Sequence, residues 1–224
     1  MSAASAAATG SGDVGIKAIA FDWGGVFTVG TFDARAVHAL AALTGRPEAA
    51  VAEAYYPLME HFEVGAFDLS GFQTRLDRAL GTSTDAVAFR AAFLDAPLER
   101  SAMFDVLARI PDRYGVAMLS NNVPELCDRV RTDPRMARVE HFVFSNEIGV
   151  RKPDAAAFAA LTEALALPPQ ATVFIDDNAA NVAACEALGF RGVLLDTPER
   201  FADRWRTLLP DLADAVAGPA WTDA

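Results

Sequence analysis

Near its amino end the chain reads Ile19-Ala20-Phe21-Asp22-Trp23-Gly24-Gly25-Val26-Phe27-Thr28. An apolar run of strand length, residues 16–21, ends in one carboxylate, Asp22, and two glycines, Gly24 and Gly25, follow after one tryptophan. A buried strand that delivers an acid into a glycine turn places that acid at the carboxyl edge of a sheet, where open α/β sheets bind ligands. Glycines in the turn let backbone N–H groups face an anion without obstruction from a Cβ atom. The stretch predicts that Asp22 is a site residue, but an acid that only caps a turn gives the same pattern. The prediction therefore depends on whether other parts of the chain place further site residues beside Asp22.

The composition is typical of a globular protein. The chain has 224 residues, 52% of them hydrophobic, which is enough for one substantial core and an insertion. Its formal net charge is −11, and an acidic chain does not attract phosphate backbones or anionic membrane surfaces. We therefore expect no nucleic-acid partner and no membrane partner. A small anionic substrate stays compatible, because local charge can oppose the global charge.

The termini and the cysteines bear on location. Residues 1–14 are rich in Ala, Ser and Gly and lack the pattern of a signal or transit peptide, so a disordered tail is predicted there, with a second tail at 216–224. No apolar run reaches the roughly 18 residues of a membrane helix. Cys127 and Cys185 are far apart in sequence, which predicts reduced, buried thiols and a cytoplasmic protein. The sequence leaves monomer and homodimer open.

Apolar strand-length runs alternate with helical segments over most of the chain. Strands are predicted at 16–21, 114–120, 141–145, 171–177 and 192–195, and helices between them at 103–110, 124–131, 155–167, 178–188 and 201–209. This alternation predicts an α/β fold, a Rossmann-like doubly wound parallel sheet with helices on both faces. The intervening stretch has only helical segments, at 33–43, 48–59, 69–76 and 84–94. Residues 30–102 are thus predicted to form a small helical cap inserted into a core of 15–29 and 103–215.

Polar residues follow the predicted strands where each strand ends. Asp22 ends the first strand, Ser120 the second, and Asp176 with Asp177 the fourth, so all should meet at one sheet edge. Lys152 belongs with them for a different reason: it is one of only two lysines, while the other seventeen of the 19 basic residues are arginines. Each residue also has a structural explanation, as a turn acid, a helix cap or a solvated charge.

The combination of these residues points to phosphate chemistry. Three carboxylates at one edge repel each other, and a divalent cation is the simplest compensation. A hydroxyl, a lysine and a glycine-rich turn beside them would hold Mg²⁺ and a phosphate group together. A carboxylate is ionised at pH 7 and can act as a nucleophile without a base. The metal and Lys152 would then offset its repulsion from the phosphoryl group.

The order of the motifs resembles the haloacid dehalogenase-like hydrolase superfamily, over roughly residues 17–209. Four motifs carry the resemblance: Phe-Asp-x-x-Gly-Val at 21–26, Leu-Ser-Asn at 119–121, Arg-Lys-Pro-Asp at 151–154, and Phe-Ile-Asp-Asp-Asn at 174–178. Each motif is weak alone, whereas four in this order are specific. The helical insertion resembles the cap of the subfamily I type, and Asp-Asp-Asn-x-x-Asn at 176–181 is similar to bacterial hexose-1-phosphate phosphatase-like members.

The resemblance implies a role for each motif residue. Asp22 would be the nucleophile that forms an aspartyl-phosphate, and Ser120 and Lys152 would bind the transferring phosphoryl group. Asn121 and Gly25 are the remaining predicted substrate-binding residues. Mg²⁺ is the implied cofactor, and its predicted ligands are Asp22, the carbonyl of Gly24, Asp177 and, directly or through water, Asp176. The implied substrate is a small phosphorylated metabolite, with a sugar phosphate as one class.

One position departs from the family pattern. Phosphatases of this family usually carry a second aspartate two residues after the nucleophile, as general acid and base, and here that residue is Gly24. Loss of such a group costs about 10²–10⁴-fold in rate. Three explanations stay open: a good leaving group, another residue or water in that role, or a weakly active binding or regulatory protein. A 2-haloacid dehalogenase also lacks this acid, but the acid pair at 176–177 argues against it.

Substrate choice is expected to lie in the cap. Tyr55, Tyr56, His61 and Glu63 form a polar and aromatic cluster that either faces the site or belongs to the cap surface. Trp23 and Phe27 flank the glycine turn and either contact substrate or pack between cap and core.

Overall fold

The computed structural model describes residues 15–94 and 98–216. Five parallel strands form one sheet in the order β3-β2-β1-β4-β5. The strands are β1 (Ala18–Phe21), β2 (Gly115–Ser120), β3 (His141–Phe144), β4 (Thr172–Asp176) and β5 (Arg191–Leu194). The predicted α/β fold, a Rossmann-like doubly wound parallel sheet, is confirmed. The expected tails, residues 1–14 and 216–224, lie outside the described residues except for Val216.

Alternation along the central strands explains why helices cover both faces. Ile19 and Phe21 of β1 point into one hydrophobic cluster and Ala20 into another. The first face packs against α5 (Ser101–Ala108) and α10 (Pro198–Leu208), and the second against α8 (Ala155–Leu165) and α9 (Ala179–Ala187). Two further helices belong to the core, α6 (Pro124–Thr132) and α7 (Ser145–Ile148).

Four helices between β1 and β2 form a separate hydrophobic cluster. They are α1 (Phe32–Thr44), α2 (Glu48–Phe62), α3 (Leu69–Leu80) and α4 (Ala86–Phe93). Their aromatic side chains pack on one another around Phe72, and Leu126 of α6 and the preceding Val123 join the same cluster. Two connections lead to the core side by side, because Thr28 bridges Glu99 in antiparallel fashion and Val29 N donates to Leu98 O at 2.8 Å. We call these four helices and the loops that join them the cap; the assignment of 30–102 as a separate domain stays a prediction.

Two segments differ from the sequence-based expectation. α2 runs on to Phe62, beyond the expected end at 59, even though Pro57 lies inside it. An internal proline costs about 3 kcal/mol, and burial of Tyr55, Met59 and Phe62 in the aromatic cluster offsets that cost. At the other end of the chain, the predicted final helix is followed by a packed 3-10 segment, Pro210–Val216, in which Leu212, Ala215 and Val216 are buried. Of these residues only Val216 falls in the predicted tail.

Cys127 and Cys185 are free and buried, as expected. Burial raises the pKa of both thiols to about 12, so neither is a ready nucleophile. None of the helices in the described ranges has the length and apolar character needed to cross a membrane.

Candidate active site

The predicted site residues meet at the carboxyl edge of the sheet. Asp22 follows β1 directly, and its N–H donates to Ile175 O of β4 at 2.8 Å. Ser120 and Asp176 are the last residues of β2 and β4, the two strands that flank β1. The strand order reverses between β1 and β4, and such a switch point is where open α/β sheets form a ligand crevice.

Lys152 supplies a fixed positive charge beneath this edge. Its side chain is 1% exposed, and its Nζ lies 2.9 Å from Asp22 Oδ1 and 2.6 Å from Asp176 Oδ2. Burial alone would lower the pKa of the ammonium group, but the charges of Asp22 and Asp176 outweigh it and raise the pKa. Lys152 therefore stays protonated and holds both acids.

Asp22 is the most strongly perturbed acid at the edge. Burial raises the pKa of its carboxyl group to about 7, while Lys152 opposes this shift and Asp176 adds to it. A hydrogen bond from the Ser120 hydroxyl also favours the ionised form. A cation bound beside Asp22 would lower the pKa of this carboxyl group, because an ion is the largest local charge in such a site.

Asp176 directs its carboxylate inward. Oδ2 accepts from Lys152 at 2.6 Å and from Asn181 at 3.0 Å, and Oδ1 accepts from Asn178 N–H at 2.8 Å and from Asn181 at 3.1 Å. The side chain is fully buried, so Asp176 orients Lys152. Its contribution to metal binding stays a prediction. Asn181 was not among the expected site residues, although the asparagine spacing at 178 and 181 was the signal for it.

Asn121 fixes the backbone of Lys152 and lines the cleft. Its Oδ1 accepts from Lys152 N–H at 2.8 Å and its Nδ2 donates to Lys152 O at 3.0 Å. The neighbouring Asn122 is 4% exposed, and its Nδ2 finds no hydrogen-bond partner among the described residues. Sequence reasoning selected Asn121 and passed over Asn122.

The glycine turn is shaped around Asp177. Gly25 has φ +69°, and a Cβ atom there would lie 1.8 Å from Asp177 Oδ2. The Gly25 N–H donates to Thr28 Oγ1 at 2.9 Å inside the turn, so its expected contact with substrate stays a prediction. Gly24 lines the cleft, and a Cβ atom on it would meet no heavy atom of the described ranges within 4 Å beyond its own chain neighbours.

The acids at this edge fit a divalent cation. Asp22, Asp176 and Asp177 each offer a carboxylate oxygen, and these oxygens lie within 4.8 Å of one another. Asp22 Oδ1 pairs with the Lys152 ammonium group at 2.9 Å, and a carboxylate has enough lone pairs to accept this contact and bind a cation as well. Hard oxygen donors are the ligands that Mg²⁺ takes in proteins.

The cap closes the other side of a cleft of about 160 Å³. Two cap acids line it, Asp33 and Glu63, together with Met59. Arg151 reaches up from the core, with NH2 3.0 Å from Glu63 Oε2. The Tyr55 hydroxyl donates to Asp33 Oδ1 at 2.9 Å. Neither Asp33 nor Arg151 was expected as a site residue, although Arg151 stands in the Arg-Lys-Pro-Asp motif.

The aromatic and cap candidates separate into two groups. Glu63 and Trp23 line the cleft. Tyr55 is buried within the cap, Tyr56 is 47% exposed, and Phe27 is buried between Phe21 and Phe104. Phe27 thus packs inside the core and Tyr55 inside the helical cluster, and neither lines the cleft.

Sequence similarity connects the chain to known proteins. The family model of the haloacid dehalogenase-like hydrolases matches residues 16–189. A 50-residue stretch is 42% identical to drimenol cyclase drtB of Aspergillus calidoustus, a match that spans 22% of this chain and 10% of that protein. The chain thus covers about a tenth of the length of this curated relative.

Solved structures share the fold. A predicted HAD-like family hydrolase from Porphyromonas gingivalis is 26% identical, with a TM-score of 0.66 over 80% of this chain and 90% of that chain. A HAD family enzyme from Bacteroides thetaiotaomicron, solved in complex with magnesium and inorganic phosphate, is 23% identical, with a TM-score of 0.70 over 80% of this chain and 94% of that chain. An L-2-haloacid dehalogenase is 20% identical, with a TM-score of 0.62 over 84% and 87% of the two chains.

Proposed function

Since this chain belongs to the haloacid dehalogenase-like hydrolase family, we propose that it is a Mg²⁺-dependent phosphatase of small phosphorylated metabolites that acts through an aspartyl-phosphate on Asp22. The observation that carries the proposal is the buried Lys152, whose Nζ lies between Asp22 and Asp176 while Asp177 faces the same cleft. A cation and a phosphate fit this mixture of charges, and the related enzyme from Bacteroides thetaiotaomicron is known in complex with both.

The residues divide the work of phosphoryl transfer. A carboxylate oxygen of Asp22 attacks phosphorus, forming an acyl phosphate as the bond to the leaving oxygen breaks. Lys152 and Ser120 hold the phosphoryl oxygens in place, and Asp176 keeps the ammonium group oriented. Water then attacks phosphorus, breaks the bond to Asp22 and releases inorganic phosphate. Mg²⁺, held by Asp22, the Gly24 carbonyl and Asp177, would supply positive charge against the developing negative charge.

Two alternatives rest on the same fold. A 2-haloacid dehalogenase would use Asp22 on carbon and release halide without a metal. Gly24 is compatible with this reaction, whereas Asp177 in the cleft has no function in it. A weakly active binding or regulatory protein would keep the phosphate site and lack turnover because of Gly24. The proposal also includes specificity for phosphate esters, with a sugar phosphate as one class of substrate. It includes a cytoplasmic location and no nucleic-acid partner.

Hydrolysis of 4-nitrophenyl phosphate, with Mg²⁺ and with EDTA, tests the proposal. We expect metal-dependent turnover that falls more than about 10³-fold in Asp22→Asn, because the nucleophile is lost. Asp196→Asn is the matched control, since Asp196 follows β5 at the same sheet edge and pairs with Arg200. Chloride release from 2-chloropropionate in EDTA would support the dehalogenase. Absence of turnover on a panel of phosphate esters would support the binding protein.

A further inference from the structure

The cleft contains acids in the cap that sit opposite the nucleophile. Asp22 and Lys152 form its floor, and Asp33 and Glu63 line it from the cap. In an in-line displacement the leaving oxygen lies on the side of phosphorus away from the nucleophile, which here is the cap side. The position that usually carries the leaving-group acid, residue 24, is a glycine. Residue 24 of the core thus offers no acid to the leaving oxygen, whereas the cap has acids on the side of the cleft where that oxygen would lie.

Glu63 is held in a defined position by the core. It follows the end of α2, and its N–H donates to Met59 O at 2.8 Å. Its Oε2 lies 3.0 Å from Arg151 NH2. Two residues later, Gly65 has φ +75° and packs so closely on the core that a Cβ atom would lie 2.9 Å from Asn146 O. The turn therefore presents Glu63 to the cleft from a rigid support.

Burial raises the pKa of both cap carboxyl groups, but the other features of their environments differ. Asp33 lies in the first turn of α1, where the helix dipole stabilises a negative charge, and Tyr55 donates to it. Glu63 lies at the carboxyl end of α2, where the same dipole opposes a negative charge. Its side chain is 9% exposed, and Oε2 has no partner with hydrogen-bond geometry in the described residues.

The charges around Glu63 act in both directions. Burial raises the pKa of its carboxyl group to about 7, Arg151 and Lys152 lower it, and Asp33 and Asp22 raise it. Glu60 on the solvent side pairs with Arg151 at 3.7 Å, and the phenol of Tyr55 lies near enough to feel the charge of Glu63. A group that titrates near neutral pH is suited to give and then take a proton.

We propose that Glu63 is the general acid and base of the reaction and takes over the task of the acid absent at Gly24; this rests on the proposed phosphatase function. In the first step a carboxylate oxygen of Asp22 bonds to phosphorus and the bond between phosphorus and the leaving oxygen breaks. The Glu63 carboxyl proton passes to that leaving oxygen. In the second step the Glu63 carboxylate takes a proton from water as the water oxygen bonds to phosphorus and the bond to Asp22 breaks. The sum is an alcohol and inorganic phosphate, with Glu63 returned to its protonated form.

A leaving-group series tests this assignment. Glu63→Gln should slow the first step, measured as alcohol release from an alkyl phosphate in a single turnover, by about 10²–10⁴-fold, because this leaving group needs a proton. For 2,4-dinitrophenyl phosphate, whose leaving group needs none, the initial burst of dinitrophenolate should change only a few fold, although later turnovers slow because the second step also uses Glu63. Glu60→Gln is the matched control: it removes a carboxylate that pairs with the same Arg151 and is 67% exposed, and both substrates should retain wild-type turnover.

A second variant and the wild-type pH profile keep the test decisive. Gly24→Asp in the Glu63→Gln background should restore a large part of the alkyl phosphate activity, because it returns an acid to the cleft. If Glu63→Gln does not fold, the single-turnover rate of alcohol release from the alkyl phosphate in the wild type should fall as pH rises above neutrality, while the burst rate for the dinitrophenyl ester should not. Equal losses of the leaving-group release rate on both substrates, or parallel pH profiles of that rate, would overturn the assignment. Absence of any wild-type phosphate hydrolysis would instead refute the phosphatase function itself.

Discussion

The side-chain amide of Asn121 makes two hydrogen bonds to the backbone of Lys152: it accepts from the N–H at 2.8 Å and donates to the carbonyl at 3.0 Å. This double contact fixes the residue whose ammonium group lies between Asp22 and Asp176. The position of Lys152 thus depends on Asn121, which follows the end of β2, as well as on the loop that contains Lys152.

Asn121→Ala should lower kcat for 4-nitrophenyl phosphate by about 10–100-fold, since supporting residues of this kind typically contribute that much. The reason is that the Lys152 backbone loses both contacts while the catalytic side chains stay intact. Steady-state kinetics measure the effect, with a melting curve to verify that the variant is folded. A rise in KM with kcat unchanged would show instead that Asn121 contacts the substrate, as the resemblance implies.

Gly25→Ala should weaken Mg²⁺ binding by more than tenfold. The new Cβ atom would meet Asp177 Oδ2 at 1.8 Å, so the acid must move away from the turn. Gly30→Ala provides the matched control, because Gly30 has a similar φ of +74° and, in the described structure, nothing within 4 Å of its Cβ position. Calorimetric titration with Mg²⁺ should give the wild-type affinity for Gly30→Ala. Backbone strain should lower the unfolding free energy of this variant by about 1–2 kcal/mol. Equal Mg²⁺ affinities in both variants would contradict a metal role for Asp177.

Thr28→Val should destabilise the protein by about 1–3 kcal/mol. Thr28 is fully buried, its Oγ1 accepts from Gly25 N–H at 2.9 Å, and its hydroxyl donates to Gly30 O at 3.0 Å. Valine has nearly the same shape and leaves these backbone groups without their partner. Urea denaturation gives the difference in unfolding free energy. Thr28→Ser keeps the hydroxyl and should lose less than Thr28→Val; the reverse order would mean that packing of the methyl group matters more than the hydrogen bonds.

The ionisation of Glu63 should make the wild type lose stability as pH rises from 4.5 to 7. The pKa of this carboxyl group is raised from 4.5 to about 7 in the folded state, so the folded state binds more protons than the unfolded state in this interval. Its contribution is fully present below pH 4.5 and is lost as pH passes 7, with a total of about 3 kcal/mol. Denaturation in EDTA at several pH values should show this slope in the wild type and in Glu60→Gln. Glu63→Gln should show a shallower slope, because it keeps only the part from Asp22, whose pKa is also raised to about 7. An identical pH dependence in all three proteins would contradict the shift of Glu63.

Much of the site could be anticipated because it follows strand ends. Asp22, Ser120 and Asp176 occupy the last or next position of adjacent parallel strands, so topology alone brings them together. Lys152 was found by its rarity in an arginine-rich chain and by its motif. What sequence patterns do not contain is the direction of each side chain. Asp176 and Asp177 are neighbours in sequence, yet one turns inward to Lys152 and Asn181 while the other lines the cleft.

The cap wall was harder to anticipate for a related reason. Tyr55 and Glu63 looked alike as polar members of one cluster, but they lie eight residues apart on and beyond α2. Tyr55 turns into the aromatic cluster, whereas Glu63 lies past the helix end and faces Arg151. Which of them reaches the cleft depends on how the inserted helices sit over the sheet. That placement arises from long-range packing and leaves no local pattern in the sequence.

The scarcity of lysine has a practical consequence for following the protein in solution. Lys17 is exposed and Lys152 is buried under two carboxylates, and the chain has no third lysine. An amine-reactive reagent should therefore label Lys17 readily on the folded chain and label Lys152 only when the sheet edge opens. The ratio of the two peptides in a mass spectrum would report the integrity of this edge directly, without substrate, metal or turnover.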